Sequence, residues 1–274
     1  MRSKTVAWAL LTVMTFASVL LFNYWAAYQP LSTLVYAGIV LALCGLANLV
    51  IPFRFLGVRN RVIGALGIMG GVALTLAALS WPASTIRVAQ PSTRLDEVMP
   101  EYQFVERHTV RTQARPEHVM QAIRQSTFGD MKSLATLLKI RGAFVRGSAH
   151  DISDLQEKRV LDAFAASGYL FANSEREVVT FGVWNAREQR RPDVSTQQEF
   201  VNYREGGAVK TAFDFSVQDA GAGWSEISTE TRVAALGDAT CRGMGRYWRL
   251  IVPGSGLLRL QWLEGIKRRA EAQS

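Results

Sequence analysis

Ala208-Val209-Lys210-Thr211-Ala212-Phe213-Asp214-Phe215-Ser216-Val217-Gln218 is the stretch that decides the fold of the C-terminal part. Its apolar period is two, with Val209, Thr211, Phe213, Phe215 and Val217 on one face, the pattern of a strand with one side against a core. Asp219 to Gly223 turns the chain into Trp224 to Leu236, where Ile227, Thr229, Thr231, Val233 and Ala235 share a face. Upstream, Tyr169 to Ala172 and Glu177 to Trp184 flank Asn173-Ser174-Glu175-Arg176, a hairpin turn by composition. Glu199 to Tyr203 reads as a further strand, pairing with Ala208 to Gln218 through Arg204-Glu205-Gly206-Gly207. Tyr102 to Thr112 also alternates, with Tyr102, Phe104, Glu106, His108 and Val110 on one face. Five or six antiparallel strands follow.

Helical stretches bracket these strands. Ala114-Arg115-Pro116-Glu117 opens the first, with Pro116 in the first turn, where a missing N–H costs little; Val119, Met120 and Ile123 form its apolar side. Asp130 is placed to cap a second helix carrying Leu134, Leu137 and Leu138, with Gly142 at its end. Ser153-Asp154-Leu155-Gln156 reads as a capping box for a third, which Gly168 closes. Asp238 caps the final helical region, which runs to Val252, meets Pro253-Gly254 and restarts at Ser255. Proline removes a helix hydrogen bond, so a kink or short break is expected there, with Ser255 as the new N-cap. The last piece, Gly256 to Ala270, puts Leu258, Trp262, Leu263 and Ile266 on one side. Arg259, Lys267 and the Glu264/Arg268 pair lie on the other.

The N-terminal part has a different composition. Thr5 to Tyr28, Leu31 to Phe53 and Val62 to Trp81 contain no Asp, Glu, Lys or Arg, and each reaches the ~20 residues that cross a bilayer core as a helix. Three transmembrane helices over residues 1–82 are therefore expected. Arg2 and Lys4 precede the first run, and Arg54, Arg59 and Arg61 lie between the second and third. The positive-inside rule puts these in the cytoplasm and the C-terminal domain outside it, although Arg87 and Arg94 follow the third run closely. Gly38 and Ala42, and Gly67 and Gly71, are small-xxx-small pairs that let helix backbones approach, within the membrane unit or in a homo-oligomer. Asn23 and Asn48 are the strongly polar side chains at depth and form no transport pathway, so the membrane part reads as an anchor. Residues 83–100, with Pro91, Pro100 and interspersed Ser and Thr, read as a linker, leaving residues 101–274 as one soluble domain.

The formal net charge is +8. No compact Lys/Arg block interleaved with aromatics accompanies it, so a surface beside anionic lipid head groups explains it better than nucleic acid does. Cys44 and Cys241 sit in a membrane run and in the soluble part, so a disulfide between them is not expected. His108, His118 and His150 are scattered and no Cys-x-x-Cys occurs, which argues against a metal site. No phosphate-binding or dinucleotide fingerprint is present, so no cofactor is expected. Gly254-Ser255-Gly256 is not a nucleophile elbow, because Pro253 and Leu257 stand at the wrong places.

The order strand, helices, antiparallel strands, long helix is joined by two local likenesses. Arg107-His108-Thr109-Val110-Arg111-Thr112-Gln113-Ala114-Arg115-Pro116-Glu117-His118-Val119 resembles the first strand and helix entry of the START-like superfamily, the group of polyketide cyclases and lipid-transfer domains. Ile227 to Val233, followed by Tyr247-Trp248-Arg249-Leu250-Ile251 and Pro253-Gly254-Ser255, resembles the final strand and helix of a bacterial, membrane-anchored branch. The likeness covers about Glu101 to Ala270 and implies an α+β helix-grip domain, an antiparallel sheet wrapped around a long C-terminal helix with an apolar cavity between them. It implies a binding domain for a lipid or other small hydrophobic molecule at a bacterial inner membrane. Tyr102, Phe104, Glu106, His108, Phe213 and Phe215 are the candidate ligand-binding residues. A carboxylate and an imidazole two residues apart on one face suit a general acid/base pair or an anchor for a polar head, so a cyclase- or hydrolase-type enzyme stands as an alternative. A domain that docks another envelope protein is a third reading. Arg242, Arg246 and Arg249 recur on one helix face, solvated or holding an anionic head group.

Overall fold

The computed structural model describes residues 29–50, 61–144, 156–186 and 188–273. The first apolar run and Ser153 to Leu155 of the expected capping box lie outside the described residues. The chain divides into two units, one of residues 1–82 with 245–253 and one of residues 83–244 with 254–274.

In the first unit, α1 (Pro30–Val50) and α2 (Arg61–Ser80) have mean hydropathies of 1.9 and 2.2 over segments of 20 residues each. Both are long and apolar enough to cross a membrane; they are the two such helices among the described residues. They run antiparallel with glycines at the contact. A Cβ on Gly71 would come within 2.5 Å of the Ala42 nitrogen and the Gly38 carbonyl, and one on Gly45 within 2.6 Å of the Gly64 carbonyl. The small-residue faces are thus consumed within the chain, by the close backbone approach such residues permit. Residues 245–253 add a polar clamp. Arg249 donates to the carbonyls of Leu79 at 2.8 Å and Trp81 at 2.6 Å, and the Tyr36 hydroxyl donates to the Leu250 carbonyl at 2.6 Å. The last carbonyls of a helix lack intrahelical partners and carry its negative end, so a guanidinium suits them. Arg249 is buried in that role, so it lies neither on a solvated face nor free to hold a head group.

The second unit is α+β. Its main sheet has five antiparallel strands in the order β3-β7-β6-β5-β4: β3 (Phe104–Thr112), β4 (Leu170–Asn173), β5 (Glu177–Asn185), β6 (Ala208–Gly221) and β7 (Trp224–Ala235). Two short strands, β1 (Ile86–Arg87) and β2 (Glu101–Tyr102), pair separately. One face of the main sheet carries Phe213, Phe215, Val217 and Ile227, which close a core with helices α4 (Pro116–Gln125) and α8 (Asp238–Glu271) through Val119, Ile123, Trp262, Leu263 and Ile266. Each such side chain taken fully from water contributes ~1.5–3 kcal/mol. The opposite face carries Val179, Phe181 and Ala212 against α3 (Arg94–Val98) and Phe200 of α7 (Gln197–Asn202).

Several expectations change here. Glu199 to Tyr203 is not a strand, because Thr196 and Glu199 form a capping box: Glu199 N donates to Thr196 Oγ1 and Thr196 N to Glu199 Oε2, both at 3.2 Å, and α7 follows. Residues 83–100 are not a linker. Thr93 caps α3, the Glu177 carboxylate accepts from Arg94 N and Leu95 N at 2.9 Å each, and Leu95, Val98 and Met99 are buried. Tertiary contacts stabilise a helix too short to persist alone. Asp130 caps a 3₁₀ turn at Phe128–Asp130, accepting from Thr127 N at 2.9 Å, and α5 (Leu134–Phe144) runs past Gly142. Finally, α8 passes through Pro253 as one helix of 34 residues, so Ser255 is an interior residue and not an N-cap. Helix α6 (Val160–Ala166) ends before Gly168, which takes a φ of 76°, but it starts at Val160 and not from the expected capping box, since Gln156 to Arg159 are not helical.

Candidate functional site

The strand register assembles a polar row on the face that meets α8. Glu106 of β3 lies opposite Thr231 of β7, Thr231 opposite Phe213 of β6, and Phe213 opposite Thr180 of β5. One step along, His108 lies opposite Thr229. Residues opposite each other share a face, so these side chains all point toward the helix. Glu106 Oε1 is 2.9 Å from His108 Nε2, and Ser255 Oγ of α8 donates to Glu106 Oε2 at 2.7 Å. Both carboxylate oxygens are engaged, as the burial of Glu106 requires.

Arg259 stands one helical turn after Ser255. Its guanidinium lies 4.5 Å from the Phe213 ring centre and 5.5 Å from that of Trp262, and Nη1 reaches Thr229 Oγ1 at 3.4 Å. Burial pushes its pKa below the ordinary arginine value, against the opposing pull of Glu106 and Asp214. The hydroxyls of Thr180 and Thr231, buried on either side of Phe213, have no hydrogen-bond partner among the described residues.

The residues proposed from sequence separate accordingly. Glu106, His108 and Phe213 meet in the polar row; Phe104 is buried opposite Val233 one step before it. Phe215 points the same way but sits in solid core, 4.5 Å centre to centre from Trp262. Tyr102 does not join them. Its strand β2 is distinct from β3, the alternation breaks at Gln103, and its ring lies under the Arg232 guanidinium at 4.6 Å in the opposite-face core. Arg259 was expected on the solvent side of its helix and instead faces the sheet. Ser255, Arg259, Thr180 and Thr231 are the additions; Ser255, Arg259, Trp262 and Ile266 follow one stripe by i, i+4, i+7 and i+11 spacing, a signal present in the sequence.

Packing along that stripe is uneven. Trp262, Leu263 and Ile266 are buried, whereas Ser255 and Arg259 keep accessible surface although they face the sheet. The interior is filled at the Trp262 end. A hollow of about 300 Å³ beside Phe128, Met131 and Leu134 contains none of the polar-row residues.

The opposite face carries a second electrostatic group. Arg232 Nη2 is 2.7 Å from Asp96 Oδ1, its Nε is 2.6 Å from Glu230 Oε1, and it donates to the Met99 carbonyl. Burial raises the Asp96 pKa, but hydrogen bonds from Ser92 and the Arg232 charge outweigh it and bring the value to about 2. Asp214 goes the other way, to about 7, through burial and the charges of Glu177 and Glu230, although Glu230 N donates to it at 2.6 Å. Lys210 is lowered to about 8 by burial and by Arg204, and its ammonium donates to the Val201 carbonyl at 3.0 Å. The Asp96–Arg232–Glu230 set ties α3 to the sheet and is structural. No group of three metal-binding side chains occurs among the described residues.

No family model, curated protein or solved structure matches the chain.

Proposed function

We propose that this chain is a membrane-anchored protein of helix-grip type whose soluble domain binds a lipid or other small hydrophobic molecule between sheet and C-terminal helix. The observation that carries the reading is the polar row inside an otherwise apolar interior: Glu106, His108, Ser255 and Arg259, with two unpartnered threonine hydroxyls. Protein interiors keep polar groups paired, so hydroxyls left over beside accessible surface suit a ligand that brings its own polar atoms. The apolar helices α1 and α2 supply the anchor. The START-like resemblance supports the same placement of ligand between sheet and helix.

Native mass spectrometry of the full chain, released from neutral detergent, tests this. A co-purified amphiphile, or uptake of one from a bacterial lipid extract, is expected. A chain that stays ligand-free under both conditions overturns the reading. The proposal includes three crossings, a cytoplasmic N-terminus and an extracytoplasmic domain at the inner membrane. A reporter active only outside the cytoplasm, fused after Ser274, is expected to be active, and activity of a cytoplasm-only reporter there refutes that topology.

A second reading has its own observation. The 2.9 Å contact between Glu106 and His108 is the geometry of an oriented general base. If the domain turns over its ligand, Glu106→Gln and His108→Gln keep binding and lose turnover, typically by 10²–10⁴-fold.

A further inference from the structure

Arg259 lacks the partners that its chemistry requires. A guanidinium carries five N–H donors. Among the described residues Arg259 makes one hydrogen bond, at 3.4 Å to Thr229, and no ion pair. Glu106 is near enough to act on it electrostatically, yet its two oxygens are taken by His108 and Ser255. The aromatic rings of Phe213 and Trp262 hold the guanidinium in place by cation–π contact without satisfying its N–H groups. Thr231 and Thr180 then place two unpartnered hydroxyls on either side of the ring over which it lies. A positive fork with free donors, flanked by free hydroxyls, matches a planar or tetrahedral oxyanion.

We infer that the polar row receives the head of an anionic amphiphile, a carboxylate or a phosphate, with Arg259 as its charge partner and Thr180 and Thr231 as flanking donors. This rests on the binding reading above and narrows its ligand class.

The test uses the full chain in neutral detergent and three probes that share one hydrocarbon chain: oleate, oleyl phosphate and oleyl alcohol. Retention is read by native mass spectrometry over a concentration series. The parent is expected to hold oleate or oleyl phosphate at least roughly tenfold more tightly than the alcohol, the worth of one charge-assisted hydrogen bond; which of the two prevails tells carboxylate from phosphate. Arg259→Gln is expected to abolish that preference by weakening the anionic probes more than the alcohol, and Arg259→Lys to restore part of it, because charge returns without the fork. Equal retention of all three probes by the parent, or an unchanged preference in Arg259→Gln, overturns the anionic head and leaves the binding module standing. Retention of no probe overturns both. Should Arg259→Gln melt at a much lower temperature than the parent, Thr231→Val serves instead. Its expected effect is a severalfold loss for the anionic probe alone, and equal affinities in parent and variant refute the inference.

Discussion

Replacing Thr180 by valine is expected to stabilise the ligand-free protein. Thr180 is fully buried, lies opposite Phe213 on one side and Phe171 on the other, and its hydroxyl has no partner among the described residues. Leaving such a group unsatisfied costs about 1–3 kcal/mol. Valine keeps the β-branched shape the strand favours, removes the orphan oxygen and adds one buried methyl. A gain of at least ~1 kcal/mol follows, which raises the melting temperature by about 2–4 °C for a domain of this size. Thr229→Val is the internal control. It lies on the same face, but its hydroxyl donates to the Asp214 carbonyl at 2.7 Å, so the same chemical change should cost roughly 1 kcal/mol. Opposite signs from one substitution at two sites isolate hydrogen-bond satisfaction from packing. The assay is thermal unfolding of the full chain in one detergent after lipid removal, because a bound ligand would raise the parent's Tm by mass action. If Thr180→Val lowers the Tm as much as Thr229→Val does, the hydroxyl is satisfied in solution and the argument for a waiting site loses its first support.

Arg249→Gln removes two charge-assisted hydrogen bonds to the carbonyls of Leu79 and Trp81, each worth ~1.5–3 kcal/mol, and a Tm fall of several degrees in thermal unfolding is expected. Gly71→Val drives a side chain into the Ala42 nitrogen and the Gly38 carbonyl, so the α1–α2 pair separates; gel filtration in detergent is expected to show aggregates in place of one species. Asp214 has a folded pKa of about 7 against an ordinary value of 3.8, so the stability tied to its protonated form is complete below pH ~4 and is lost as pH rises through 7. The parent's Tm should therefore fall relative to Asp214→Asn between those limits, whereas Asp96, lowered to about 2, contributes stability that is lost only on acidification below pH ~4. A parent-to-variant difference that stays flat from pH 4 to 7 contradicts a protonated Asp214.

Period-two alternation gave the sheet away because a half-buried strand must alternate, and β5, β6 and β7 lie where that pattern puts them. It failed at Glu199 to Tyr203, where Phe200, Val201 and Tyr203 suggest a strand but Ser195-Thr196 and Glu199 supply reciprocal capping bonds that commit the segment to helix. It failed again at residues 83–100. There the prolines are real turn signals, but Leu95, Val98 and Met99 have a place on the outer face of the sheet that only the tertiary fold creates. The first strand shows the limit of parity itself. Glu106 and His108 were assigned their face correctly, because β3 is continuous through them; Tyr102 was not, because a single break at Gln103 resets the count.

The interior half of the candidate site was hidden by one local rule. Proline usually ends a helix, so a break at Pro253 makes Ser255 a cap and lets the helix phase restart after it. In the structure the helix does not restart. It continues through Pro253 as one helix to Glu271. With the phase kept, Ser255 and Arg259 belong to the stripe of Trp262 and Ile266 and must face the sheet. Two polar residues on such a stripe would normally be read as a defect in its amphipathic pattern. Here the strands opposite them present Glu106, His108, Thr229 and Thr231 at matching positions. Polar residues on both sides of one interface, partly paired and partly waiting, are a selected feature more economically than a packing error, because each orphan group costs stability that an apolar side chain would have kept.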